Sequence, residues 1–239
     1  SGITASFNVS FTVSPKDTSG GDDKDDGGGS KGSADAGKAA KEDKTPSPLT
    51  PEAKWENPFA DIKESDWFYS YVEYVCSEGL FNGTTESTFS PAMPMTRSML
   101  ATVLWRMDAS PKPQGKTFFA DLQDGWYKDA VLWASENNIV SGYGGGLFGP
   151  DDNITREQMA VMLYRYSRYK GYDVTAGADL SGYIDAEDIS GWALAAMKWA
   201  NDRGLITGRS DKELASKAKA GRAEIAAILY RFMTRYMEK

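Results

Sequence analysis

The chain has 239 residues, 41% hydrophobic and 26% charged, with a formal net charge of -7, one cysteine and no histidine. Lack of histidine removes Ser-His-Asp and Cys-His catalysis and the commonest zinc ligand; one cysteine cannot form an internal disulfide; and an acidic balance disfavours nucleic acid or anionic membrane, which need a basic field. No apolar stretch approaches the roughly 20 residues that cross a bilayer, so membrane insertion is not expected; separately, no residue pattern calls for a cofactor or a bound metal, and none is expected.

Residues 1–14 alternate apolar and polar: Ile3, Ala5, Phe7, Val9, Phe11 and Val13 fall on one side. That period predicts a strand with one buried face, read as the last strand of an upstream β domain of the same protein. Residues 15–57 turn to Gly, Ser, Asp, Lys and Pro, a composition that cannot form a core and predicts a flexible linker. The acidic run Asp22–Asp26 lacks the ligand spacing of a calcium loop and reads as solvated tether.

Three units follow, at 58–110, 117–173 and 180–239. Trp67, Trp126 and Trp192 are each followed thirty residues later by Arg97, Arg156 and Arg222. Leu80, Ile139 and Leu205 keep the same register, as do Gly83, Gly142 and Gly208. A period of this size marks an array of supersecondary units, none of which can bury its own apolar face, so the three must share one core. Each unit reads as an entry segment (Phe59-Ala60-Asp61, Phe119-Ala120-Asp121, Tyr183-Ile184-Asp185), a helix starting at the Trp, a glycine loop and a second helix.

The first helix should stop at Gly79, Asn138 and Gly204, residues that tolerate a left-handed C-terminal conformation. The second carries an i, i+3, i+4, i+7 stripe: Leu100, Val103, Leu104, Met107; Met159, Met162, Leu163, Tyr166; Ile225, Ile228, Leu229, Phe232. Ala101, Ala160 and Ala226 beside it permit close approach. The expectation is an all-α fold of three helix-loop-helix repeats whose stripes meet around a pseudo-threefold axis.

The candidate site residues recur in every copy. Thr96 and Thr155 are N-cap residues, with a capping box at Thr155/Gln158 and a weaker one at Gly221/Glu224. Arg97, Arg156 and Arg222 are then the first helical residues, placed where free N–H groups and the positive helix end favour an anion. The alternative is that each arginine neutralises an entry aspartate. Trp67, Trp126 and Trp192 read either as core or as platforms for sugar rings. Gly83, Gly142 and Gly208 mark a turn that excludes a Cβ or admits a ligand. Arg106, Arg165 and Arg231 suggest structural ion pairs. Cys76, aligned with Ser135 and Asn201, reads as a tolerant helix position rather than a reactive thiol.

With this order explicit, residues 58–239 resemble the S-layer homology family. Phe59-Ala60-Asp61, Phe89-Ser90-Pro91 and Met95-Thr96-Arg97 carry the likeness in the first copy, Phe119-Ala120-Asp121, Phe148-Gly149-Pro150 and Ile154-Thr155-Arg156-Glu157 in the second. The resemblance implies an extracellular, noncatalytic anchor of a Gram-positive-type envelope, a monomeric pseudotrimer. Its inter-repeat grooves would bind secondary cell wall polysaccharide, often through a pyruvylated sugar, at Thr96 and Arg97, Thr155 and Arg156, and Arg222 and Glu224. Departures occur at Met99 and Gln158, where the motif has Glu, at Gly221, and at Leu214-Ala215-Ser216. The rival reading is a protein–protein self-assembly module of a surface layer.

Overall fold

The computed structural model describes residues 55–115, 118–175, 177–210 and 212–237; the expected upstream strand and nearly all of the linker lie outside the described residues. The folded unit begins at Trp55, inside the segment assigned to linker. Trp55 has its ring centroid 5.9 Å from that of Tyr69, and the Asn57 side chain accepts from Phe59 N–H at 2.9 Å, so this stretch is held by packing and a turn.

Six α-helices and one 3-10 turn make up the regular structure among the described residues: α1 (Tyr69–Ser77), α2 (Arg97–Met107), α3 (Lys128–Glu136), α4 (Arg156–Tyr169), α5 (Leu194–Asp202) and α6 (Arg222–Tyr236). Each repeat supplies one short and one longer helix. The short ones start two residues after the Trp, not at it, since Phe68, Tyr127 and Ala193 occupy the N-cap. They end as expected, with Gly79, Asn138 and Gly204 at φ 68, 58 and 69. Leu80 N–H returns to Val75, Ile139 to Ala134 and Leu205 to Ala200, so the final carbonyls of each helix are met by the chain that leaves it.

The helices pair across repeats. The short helix of each unit packs on the long helix of the one before it: α3 on α2, α5 on α4, and α1 on α6. That last pair closes the array into a ring. The apolar stripes of α2, α4 and α6 are all in the core, with Ala101, Ala160 and Ala226 fully buried beside them.

At the centre, Met95, Ile154 and Ala220, each two residues before the repeat's arginine, form a closed triangle of backbone hydrogen bonds. Met95 N–H donates to Ala220 at 3.0 Å, Ala220 to Ile154 at 3.0 Å, and Ile154 to Met95 at 2.9 Å. All three residues are buried, so these polar groups need partners and find them only in each other. This is the pseudo-threefold axis.

Candidate ligand-binding grooves

Arg97, Arg156 and Arg222 start the long helices and are nearly inaccessible, at 6%, 3% and 6% exposure. Each reaches into the following repeat. Arg97 Nε donates to the Phe148 carbonyl at 3.0 Å and Nη2 to Ser141 at 2.9 Å; Arg156 Nε donates to Leu214 at 2.9 Å; Arg222 donates to Phe89 at 2.7 Å and to Asn82 at 2.6 Å. Aromatic faces complete the sleeve: Arg97 lies 4.5 Å from the Tyr143 ring centroid and 4.6 Å from Phe148, and Arg222 lies 4.4 Å from Phe89. Burial pulls the Arg222 pKa down to about 10, and it lowers those of Arg97 and Arg156, without discharging any of them near neutral pH.

The entry aspartates do not meet these arginines by hydrogen bond or ion pair; they bind the same loop from the other side. Asp61 accepts from Phe89 and Ser90 N–H at 2.7 Å each, Asp121 from Phe148 and Gly149, and Asp185 from Leu214 and Ala215. One peptide per repeat is thereby gripped twice, its N–H by its own repeat's carboxylate and its carbonyl by the preceding repeat's guanidinium. Burial works against the Asp121 charge, yet the two loop amides and nearby Arg97 outweigh it and hold this carboxyl below its usual range.

The expected anion cradle at the helix tips is corrected by the same geometry. The first N–H groups of α2, at Arg97 and Ser98, donate to Asp152 and Pro150; those of α4, at Arg156 and Glu157, to Ala218 and Ser216; those of α6, at Arg222 and Ala223, to Met93 and Pro91. Neighbouring carbonyls thus consume the donors that a ligand would need. The caps behave as read. Thr96 accepts from Met99 N–H at 3.2 Å, and Thr155 and Gln158 form a full capping box. Gly221, with no side chain, has only the returning half, its N–H donating to Glu224 at 3.0 Å.

What remains open to a ligand is a set of grooves outside the arginine sleeves. Trp67, Trp126 and Trp192 are 62%, 41% and 61% exposed, which corrects the core reading. They precede the helix start, so the periodicity that buries helix residues does not govern them. Trp192 of the third repeat, Arg97 of the first, and Ser141, Gly142, Tyr143, Gln158 and Arg165 of the second line a cleft of about 280 Å³. A cleft of about 250 Å³ repeats the arrangement one step around the ring, with Trp67, Arg156, Thr207, Gly208, Arg209, Glu224 and Arg231. At the third interface Trp126, Arg222, Gly83 and Met99 hold the equivalent sequence positions.

Gly83 and Gly142 are required sterically: a Cβ there would sit 2.3 Å from the Thr85 and Leu147 carbonyl oxygens respectively. At Gly208 a positive φ of 93 adds to a similar clash. Arg165 and Arg231, expected in ion pairs, instead donate to Ser141 Oγ and the Leu205 carbonyl, and Arg106 donates to Leu80, so this arginine row also braces the glycine loop. Cys76 is half-buried and its thiol is pushed up to about 11, chiefly by burial, which leaves no activated nucleophile.

The S-layer homology domain matches this chain at residues 58–98, 118–160 and 183–226, the three units that build the ring. The chain belongs to the S-layer homology family. It is 31% identical over 175 residues to an endoglucanase of Bacillus sp. (strain KSM-635), a match spanning 72% of this chain and 18% of that protein. It is 25% identical to the S-layer protein sap of Bacillus anthracis over 72% of this chain and 21% of the relative. To the cellulosome-anchoring protein of Acetivibrio thermocellus it is 28% identical over 45% of this chain and 25% of the relative. The chain thus spans a quarter or less of each of these proteins. The array is a cell-surface anchoring module, extracellular and associated with the cell wall or surface layer.

Proposed function

We propose that this module holds its protein to the cell wall noncovalently by binding an anionic wall glycan, a pyruvylated secondary cell wall polysaccharide, in the grooves between repeats, and that it catalyses no reaction. One observation carries the reading. In each of two clefts, an exposed Trp, a sleeved Arg and a further basic Arg come from three different repeats and line one space. An aromatic face beside guanidinium groups suits a sugar ring that bears a carboxylate. Volumes near the lower end of the roughly 300–1,000 Å³ of small-molecule sites suit a short glycan segment better than a long one. An upstream domain of the same protein would be displayed by the tether.

The test is retention by purified wall polymer before and after its pyruvyl groups are removed. Native protein should lose retention with the pyruvyl groups, and Trp192→Ala should weaken it with little change in melting, because that side chain is mostly exposed. Retention indifferent to both changes would refute the proposal, and concentration-dependent oligomers in light scattering without glycan would favour self-assembly in its place.

A further inference from the structure

The two clefts share a plan but differ in who supplies the negative charge. In the cleft of Arg156, Glu224 already faces the arginine, its Oε1 lying 3.7 Å from Arg156 Nη1. Arg209 grips the same carboxylate at 2.8 and 3.0 Å, and Gly221 N–H adds a third contact. An internal anion therefore stands against the arginine. In the cleft of Arg97 the corresponding helix position is Gln158. Its Oε1 accepts from Thr155 N–H at 3.1 Å, which fixes the amide so that its N–H donors are the part left for a ligand. The position of Arg209 is filled there by Tyr143, whose ring stacks on Arg97. Arg97, Gln158, Arg165 and Trp192 thus line that cleft without a carboxylate among them.

The second cleft differs in its surroundings as well. Trp67, Arg209 and Glu224 also line an adjoining hollow of about 320 Å³, walled by Phe68, Pro91 and Pro94. Its wall carries Lys219 as well as Arg209 and Glu224, but apolar groups make up most of it, and an apolar face suits that of a sugar ring.

We propose that the grooves divide the glycan chemically: the Arg97 groove takes the acidic sugar, and the Arg156 groove with the Trp67 hollow takes an uncharged sugar, Gln158 and Glu224 being the residues that decide. This rests on the glycan-binding reading. The physical reason is that Glu224 already engages Arg156 and Arg209, so a ligand carboxylate entering that groove meets a like charge and finds Arg231 as the one further guanidinium lining it, whereas Arg97 and Arg165 line a groove in which no carboxylate competes.

Each groove carries its own reporter, so the intact chain can be titrated with methyl α-glucuronide and methyl α-glucoside while the indole N–H resonances of Trp192 and Trp67 are followed by NMR. Glucuronide should move Trp192, and glucoside should move Trp67. Gln158→Glu, which preserves the capping box, should weaken the glucuronide response of Trp192 by about tenfold or more. Glu224→Gln should create a glucuronide response at Trp67. Equal glucuronide responses at both indoles of the native chain, or a Gln158→Glu variant that binds it unchanged, would overturn the division while leaving glycan binding intact. Silence of all indoles toward both probes, together with no retention of wall polymer, would overturn the underlying reading itself.

Discussion

At the axis, Met95, Ile154 and Ala220 pass one backbone hydrogen bond each around a closed triangle, and Arg97, Arg156 and Arg222 bind a loop carbonyl of the next repeat in the same way. At the groove rims the residue after the loop glycine is Thr84, Tyr143 or Arg209, and the third residue of the long helix is Met99, Gln158 or Glu224. The inner positions are set by backbone groups that have no other partner when buried, so their solution is the same three times. The rim positions are partly open to solvent, and although Gln158 and Glu224 each accept a helix-start N–H, no buried backbone group fixes which residue stands there. Sameness among repeats thus marks what holds the ring together, and variation marks where ligand selection is free to act.

Breaking the inner side should have the largest effect. Arg97→Ala removes a sleeved cation and strips the Phe148 and Ser141 carbonyls of their donor; a loss of about 3 kcal/mol is expected, seen as a fall in melting temperature of roughly 10 °C. Any loss of polymer retention in that variant would therefore reflect the scaffold as well as the groove. Gly142→Ala, forced against Leu147 and Phe119, should cost about 2 kcal/mol by chemical denaturation.

Next comes acidity. The folded-state pKa values of Asp121 and Glu224 both lie below their ordinary values. Burial opposes ionisation at each, yet for Glu224 the Arg209 hydrogen bonds, Gly221 N–H and Arg156 prevail. A depressed carboxyl stabilises the fold above its unfolded pKa of about 4 and ceases to do so as pH falls through the folded value. Stability measured by denaturant titration should accordingly decline below about pH 4, and less steeply in Asp121→Asn. A smaller effect of opposite sign is expected at Gly221, the one repeat start without a hydroxyl cap. Its φ of -78 is ordinary and a Cβ would make only normal contacts, so Gly221→Thr should stabilise by about 0.5 kcal/mol. On the rim, Trp192→Ala should shift stability by less than about 0.5 kcal/mol, so that a retention assay reads the groove alone.

Much of the scaffold was legible because its causes are local. The stops at Gly79, Asn138 and Gly204 follow from which residues accept a left-handed conformation, and the stripes of α2, α4 and α6 follow from helical period. The groove chemistry was less legible because its causes are long-range. Arg97 and Arg222 find their carbonyls 51 and 133 residues away, and no spacing announces that Pro150 or Met93 will take the N–H groups of a helix start. The tryptophans were ambiguous for a different reason: they lie just outside the helix whose period would have fixed their facing. A usable signal did exist for the aspartates, since Asp61, Asp121 and Asp185 stand at nearly constant distance from Phe89, Phe148 and Leu214, the peptides they bind.

Linear arrays of stacked helical units expose an unfinished surface at either extremity and need special terminal units to cover it. Because α1 packs on α6, this array has neither a first nor a last surface to cover. Its size is consequently quantised: a fourth unit inserted in tandem would have to force the circle open, and removal of one would leave two bare flanks seeking each other across a gap or in a second molecule.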